Sequence, residues 1–239
     1  MCSVTSSAKS ENSCMNCTKK KYSLLDELSY QELETLERNR SVINYKKGEI
    51  IYKEGTKPTG LLCLNEGKVK LIRSISRNNE QIVGLKKPVD FIDVRALMRE
   101  SLYQNSAKAL EDSSVCFIEK DDFYAVVKNN SNLSLKIIRL FADELDKADN
   151  RLITMTQKHL HARLAEAILH LLEIYGTMDD EQTINCILKR SDLAGLSNMT
   201  TANVIRTLSF FSKEGVIESE KKRIKVKDLK KLMVISSIS

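Results

Sequence analysis

The pattern of hydrophobic and polar positions changes character along the chain. Between residues 48 and 88 the apolar runs are short and alternating or β-rich: Glu49-Ile50-Ile51-Tyr52, Gly60-Leu61-Leu62-Cys63-Leu64, Lys68-Val69-Lys70-Leu71-Ile72 and Gln81-Ile82-Val83. Both prolines, Pro58 and Pro88, and five of the eight glycines fall among them. Runs of that length between such breaks predict a small antiparallel roll or barrel. A further strand, Ser114-Val115-Cys116-Phe117-Ile118, follows a helical or looped insertion at about 91–104. Ahead of the roll, Leu24 to Leu36 reads as a helix with Ser29-x-x-Glu32 as a capping box.

From Leu85 to Tyr175 there is no glycine, and the period lengthens. Leu133, Leu135, Ile137, Ile138, Leu140, Phe141, Leu145, Leu152, Ile153 and Met155 recur at three- and four-residue steps over 131–158. A helix that long needs a partner surface, either its own domain or a second copy. Its length favours a coiled-coil-like dimer seam. A second helix, about 159–175, stops at Gly176.

Residues 190–218 read RSDLAGLSNMTTANVIRTLSFFSKEGVIE. Ser191 can cap a short helix, Ala194 lets two helices approach, and Asn198 tolerates the left-handed turn four residues on. A second helix starts at Thr200 and carries Val204, Leu208 and Phe211 to Gly215. Val216–Ser219 and Arg223–Val226 then form a hairpin around Glu220-Lys221-Lys222, a basic wing. Charge agrees with this motif. Residues 185–239 hold 11 Lys/Arg against 5 Asp/Glu, whereas the rest of the chain holds 27 of each. A basic module beside a neutral body is the footprint of a polyanion binder. At 239 residues and 42% apolar the chain can build a packed core, and no apolar run approaches the roughly 20 residues that cross a bilayer. The start has no apolar signal region, so a cytoplasmic protein is expected. No nucleophile–base pairing and no phosphate-binding glycine loop is seen, so an enzyme is not expected.

The order of roll, long helix and winged helix-turn-helix resembles the Crp/Fnr transcription regulators. Lys47-Gly48-Glu49-Ile50-Ile51 through Lys53-Glu54-Gly55, with Gly67-Lys68-Val69-Lys70, looks like their roll, and Asp192-Leu193-Ala194 through Arg206-Thr207-Leu208 looks like their DNA-reading segment. The resemblance implies an α+β protein. Its parts would be a flexible cysteine-containing N-terminus (1–21), a cyclic-nucleotide-binding-like antiparallel β-roll or jelly roll (22–130), a dimerisation helix (131–158) and a winged helix-turn-helix (159–239). It implies a homodimer on an imperfect DNA palindrome, an effector sensed in the roll, RNA polymerase as a further partner and no membrane.

In such a module the start of the second helix enters the major groove. Thr200, Thr201, Asn203 and Arg206 would then face base edges, with Arg206 at the family's base-contacting arginine. Ala202 stands where many members carry a base-reading glutamate, so the familiar target sequences do not transfer. Lys189, Arg190, Lys213, Lys221, Lys222 and Arg223 are candidates for phosphate contacts.

Cyclic-nucleotide-binding relatives hold the ribose with a Gly-Glu pair and the phosphate with an Arg-Ser. The equivalent stretch keeps Ser106-Ala107, but Val94 replaces the glutamate, Asn105 the arginine, and Asp93 adds negative charge. A cyclic nucleotide is therefore not the expected effector. Cys14-x-x-Cys17, Cys2 and Cys116 supply the four thiolates of a [4Fe–4S] cluster, and Cys116 sits in a segment like that of the Fnr fourth ligand. The spacing departs from that type, because Lys19-Lys20-Lys21 follows the pair where a third cysteine belongs. The alternative is a disordered N-terminus with free thiols and a structural Cys116. Haem through His159, His161 or His170 is a further reading. Cys63 and Cys186 are expected in the core. The rival class is a protein-interaction module whose DNA domain has degenerated.

Overall fold

The structure is a computed structural model that describes residues 24–26, 28–76 and 79–238. In chain order its elements are α1 (Tyr30–Glu37), β1 (Ser41–Tyr45), β2 (Ile50–Tyr52), β3 (Gly60–Glu66), β4 (Val69–Ser76), β5 (Asn79–Lys86), α2 (Val94–Met98), β6 (Ser106–Ala109), β7 (Ser113–Glu119), α3 (Lys120–Asn129), α4 (Ser131–Gln157), α5 (Leu160–Tyr175), α6 (Arg190–Ser197), α7 (Thr201–Lys213), β8 (Ile217–Glu220), β9 (Arg223–Val226) and α8 (Leu229–Ser237). The chain forms two compact units. One runs to Val69 and resumes over Lys86–Glu144; the other combines Lys70–Leu85 with the chain from Leu145 onward.

The first unit is built on an antiparallel sheet in the order β1-β7-β3. Its central strand pairs Val115 with both Ile43 and Leu64, and Cys116 with both Val42 and Cys63. A second sheet runs β2-β6-β4-β5, with Tyr52 opposite Ala107. Leu61 and Ile118 enter a core with Leu33 and Leu36 of α1, Phe123, Val126 and Val127 of α3, and Leu133 and Ile137 of α4. The capping box is present: the Glu32 carboxylate accepts from Ser29 N at 2.8 Å, and Ser29 Oγ accepts from Glu32 N at 3.3 Å. That cap sets the helix start at Tyr30, so the expected helix from Leu24 is too long. Leu25 lies in a turn and Leu28 outside any regular element, and their apolar character serves the core instead.

Helix α4 is continuous for 27 residues. Leu133 and Ile137 are buried, whereas Leu135, Ile138, Leu145, Leu152 and Ile153 are 50–63% exposed. Large apolar side chains therefore line a helix face that is exposed among the described residues.

In the second unit, Leu164 and Ile168 of α5, Leu193 of α6, Val204, Leu208 and Phe211 of α7, and Leu232 of α8 are almost fully buried. Helix α5 stops at Gly176, whose φ of 63° suits a residue without Cβ. Helix α8 was not anticipated from the sequence. The β4–β5 hairpin docks on α6 within this unit. Lys70 Nζ lies 2.6 Å from Asp192 Oδ1 and 3.4 Å from Glu80 Oε2. The Gln81 side-chain amide donates to the Gly195 carbonyl, and the Arg151 guanidinium to the carbonyls of Ile82 and Leu196. A Cβ on Gly195 would sit 2.5 Å from the Glu80 carbonyl oxygen, so this approach requires glycine. No helix among the described residues is long and apolar enough to cross a membrane.

Candidate nucleic-acid interface

Two helices and a turn build the site. Helix α6 begins at Arg190, one residue before the expected Ser191 cap. The capping carboxylate is that of Asp192, which accepts from Lys189 N at 3.0 Å. The helix ends at Asn198 in the left-handed conformation (φ 52°, ψ 51°), and Met199 N donates to the Ala194 carbonyl. That reversal aims α7 away from α6. Thr200 caps α7 by accepting from Asn203 N at 3.2 Å.

Along α7 the buried residues Val204, Thr207, Leu208 and Phe211 face inward. The exposed side carries Thr201, Ala202, Ile205, Arg206, Ser209 and Lys213. The Arg206 guanidinium donates to Asn203 Oδ1 at 2.9 Å, so the two side chains expected at base edges are held together at the exposed start of the helix. The sequence reading passed over Ile205 and Ser209, although the 3.6-residue period places both beside Arg206. Ile205 is 50% exposed.

The wing follows as a two-stranded ladder from Ile217↔Val226 to Glu220↔Arg223. Lys221, at φ 50°, turns the tip with Lys222, and Lys221, Lys222 and Arg223 are exposed, as are Lys189 and Lys213. Arg190 behaves differently. Its Nη2 donates to Ser219 Oγ at 2.6 Å and to the Lys221 carbonyl at 3.1 Å, while Nη1 is buried and has no partner among the described residues. Burial holds its pKa below the usual arginine value. The geometry makes Arg190 a brace between α6 and the wing. Asp180 braces the same module, accepting from Thr183 Oγ1 and N, from Gln182 N and from Lys225, which keeps its carboxyl far below the usual range.

Comparison with known proteins agrees with this arrangement. Residues 42–130 match the cyclic nucleotide-binding domain, and residues 162–235 match the Crp-like helix-turn-helix domain. The chain belongs to the Crp/Fnr family of transcription regulators. Among curated relatives, it is 26% identical over 228 residues to electron transport regulator A of Shewanella oneidensis, spanning 93% of this chain and 90% of that one. It is 24% identical to the anaerobic regulatory protein of Aggregatibacter actinomycetemcomitans, over 93% and 87% of the two chains. FixK2 from Bradyrhizobium japonicum shares the fold with a TM-score of 0.75 at 19% identity, over 84% of this chain and 98% of that one. A CRP/FNR-family regulator from Thermus thermophilus does so at 0.70 and 20%, over 82% and 98%. Crp/Fnr regulators bind DNA and act as dimers.

In this Crp/Fnr chain the residues expected at the effector position are engaged with one another and with neighbouring side chains. Asp93, at φ 52°, is buried and accepts from the Asn105 amide at 2.9 Å. Asn105 Oδ1 accepts from the Tyr52 hydroxyl at 2.8 Å, and the Tyr52 and Tyr103 rings stack at 3.7 Å. Burial first, and then Asp93, pushes the Tyr103 hydroxyl up to about 12 and raises Tyr52 strongly. Val94 and Ala107 are buried, and Ser106 Oγ accepts from Glu54 N at 2.9 Å. The neighbouring cleft, lined by Asp93, Arg95, Arg99 and Ser101, measures about 10 Å³. That is room for about one water, whereas ligand pockets run to several hundred Å³.

Of the four cysteines read as cluster ligands, Cys2, Cys14 and Cys17 lie outside the described residues. Cys116 is half-buried on β7, and its Sγ accepts from Arg40 Nη1 at 3.4 Å. The thiol directly across the ladder is Cys63, half-buried rather than in the core as expected, whereas Cys186 is buried. Two donors fall short of the four a cubane needs, and no group of three His, Cys, Asp or Glu side chains among the described residues could hold a metal. Of the histidines read for haem, His161 stacks on Phe210 at 4.6 Å, His159 precedes α5 without a side-chain cap bond, and His170 lies 3.7 Å from Glu173.

Proposed function

We propose that this regulator is a cytoplasmic homodimer that reads an imperfect palindrome with α7 and responds to an effector other than a cyclic nucleotide. The exposed start of α7, with Arg206 held against Asn203, carries this reading. Arg206 pairs with guanine, while Asn203, Thr200 and Thr201 contact neighbouring bases or phosphates. Lys189, Lys213, Lys221, Lys222 and Arg223 neutralise phosphates. Arg190 holds the wing at the spacing that lets its tip reach the backbone.

The dimer forms along α4. Ile138, Leu145 and Leu152 recur at seven-residue intervals, with Phe141, Ala148 and Met155 between them, the pattern of a two-stranded seam. It sets the two recognition helices about 34 Å apart, one turn of DNA. The engaged residues of the roll support excluding a cyclic nucleotide: Asn105 has no charge for a phosphate, and Asp93 already occupies its amide. RNA polymerase is the further partner, and the chain itself catalyses no reaction.

Selection of bound duplexes from a random pool tests the proposal. An enriched inverted repeat that disappears with Arg206→Ala is the expected outcome. Uniform binding of all sequences would favour the interaction-module reading. A [4Fe–4S] cluster on Cys2, Cys14, Cys17 and Cys116 would add an oxygen-responsive effector, and iron counted on protein purified without oxygen decides it. The cluster reading predicts about four irons per chain.

A further inference from the structure

Within the roll, β3 and β7 place two cysteines side by side. Cys63 and Cys116 are direct partners in the antiparallel ladder. Opposite residues in such a ladder have Cα atoms about 4.5–5.5 Å apart, inside the roughly 4.4–6.8 Å span that a disulfide bridges. The neighbouring pairs on the same face show where this pair sits. On one side Leu61↔Ile118 is sealed in the core; on the other the Asn65 amide donates to Ser114 Oγ at 3.0 Å. The cysteines lie at the edge where core gives way to solvent, and both are half-buried. They also differ from each other. Cys63 Sγ donates to the Val89 carbonyl at 3.6 Å, as a thiol must, whereas Cys116 Sγ accepts from the Arg40 guanidinium. A cationic donor beside one sulfur and a carbonyl acceptor beside the other divide the roles of nucleophile and resolving thiol.

We infer that Cys63 and Cys116 form a redox site of the roll, a dithiol that closes to an intramolecular disulfide on reaction with a hydroperoxide. The Cys116 sulfur attacks the outer peroxide oxygen. The O–O bond breaks, an alcohol or water leaves, and Cys116 becomes a sulfenic acid. The Cys63 sulfur then attacks the Cys116 sulfur, the S–O bond breaks, and hydroxide departs as water with the Cys63 proton. One hydroperoxide and two thiols thus yield one disulfide, one alcohol (water, for hydrogen peroxide) and one water. The bond would draw Cys116 away from Arg40, whose Nε also lies 3.1 Å from Glu37 of α1. Cys63 packs against the cluster that seats Leu133 and Ile137 of α4. Oxidation therefore acts where the long helix meets the roll. The transmission to DNA rests on the proposed regulator function; the chemistry of the pair does not.

The test uses the full chain, reduced, freed of metal and then treated with stoichiometric hydrogen peroxide under an otherwise oxygen-free atmosphere. Digestion without reductant should yield a linked peptide pair containing Cys63 and Cys116, with the loss of two titratable thiols per chain. The link should persist in Cys186→Ser and in the combined Cys2→Ser, Cys14→Ser, Cys17→Ser variant. It should vanish in Cys63→Ser and Cys63→Ala, each checked for an unchanged circular dichroism spectrum. Pairing of Cys116 with an N-terminal cysteine instead, oxidation to sulfinic acid without a link, or no reaction of Cys116 would overturn the inference. The peptide map needs no DNA, so failure to select an operator would count against the regulator reading and leave this site standing.

Discussion

The Lys70–Asp192 pair is where the β4–β5 hairpin grips the helix-turn-helix, and its removal has a calculable consequence. The two charged atoms lie 2.6 Å apart, with side chains 8% and 11% exposed. At an effective dielectric constant of about 20 their attraction is about 6 kcal/mol, offset by a desolvation cost of several kcal/mol per ion. The intact pair is therefore worth little net. Breaking it from one side is expensive, because the survivor stays buried. Lys70→Met should cost about 3–5 kcal/mol, since among the described residues the Asp192 carboxylate would retain only the Lys189 N–H. Asp192→Asn should cost less. The amide oxygen can still cap α6, and Lys70 retains Glu80 at 3.4 Å. The double variant removes both charges and should be more stable than the two single losses together predict, by at least about 1 kcal/mol. Urea unfolding followed by far-ultraviolet circular dichroism measures all four proteins, because the chain has no tryptophan to report by fluorescence. Hydrogen exchange should quicken in 70–85 and 190–197 in Lys70→Met. Additive single-variant costs, within about 0.5 kcal/mol, would show that the pair does not couple the hairpin to α6 and would sink the reasoning.

Other outcomes can be checked separately. Arg206→Ala should lose about 1–3 kcal/mol on the selected operator and relax one position per half-site, whereas Lys222→Ala should weaken all sequences alike and flatten the salt dependence, both read by fluorescence anisotropy against operator and random duplex. Leu145→Glu should place a charge in the α4 seam, giving a monomer by sedimentation and no operator binding, while far-ultraviolet circular dichroism stays unchanged. The Asp180 pKa is depressed in the fold, chiefly by its hydrogen bonds to Thr183, so its stabilisation is present above the ordinary carboxylate range and lost as pH falls below about 4. Thermal melts of Asp180→Asn should accordingly lie below those of the parent at neutral pH and converge with them in acid.

Much of the architecture was legible because it rests on local signals. Asn198 in the left-handed conformation, Gly176 after α5 and the Ser29–Glu32 box are each written in a few adjacent residues. Strand β1 (SVINY) was not seen, because its side chains are mostly exposed or half-exposed and form no apolar face. Strand β6 (SAKA) is too short and small to announce itself, although Ala107 and Ala109 are buried. Helix α8 follows the wing with a lysine pair that reads as a solvated tail, yet Leu232 is fully buried. The site divides in the same way. Asn105 reads from the sequence as standing in place of a phosphate-binding arginine, but the Tyr52 hydroxyl that occupies its amide oxygen comes from a strand 53 residues earlier. Arg190 read as one more surface cation; only the fold brings Ser219 and the Lys221 carbonyl to its guanidinium.

The same distinction holds for the contacts that seat the hairpin on α6. Lys70 and Asp192 are 122 residues apart, and Gln81 and Gly195 are 114 apart, so neither contact leaves a trace in local pattern. These contacts converge on the backbone and cap of α6, the helix that supports α7, and Arg151 of the long helix donates to both the hairpin and α6. Among the described residues, the polar bonds on the hairpin include a buried ion pair, an amide and a guanidinium, beside the buried Leu71, Ile72, Ile82 and Leu85 of the hairpin itself. Gly195 matters to this grip because any side chain there would drive hairpin and helix apart before the ion pair could close.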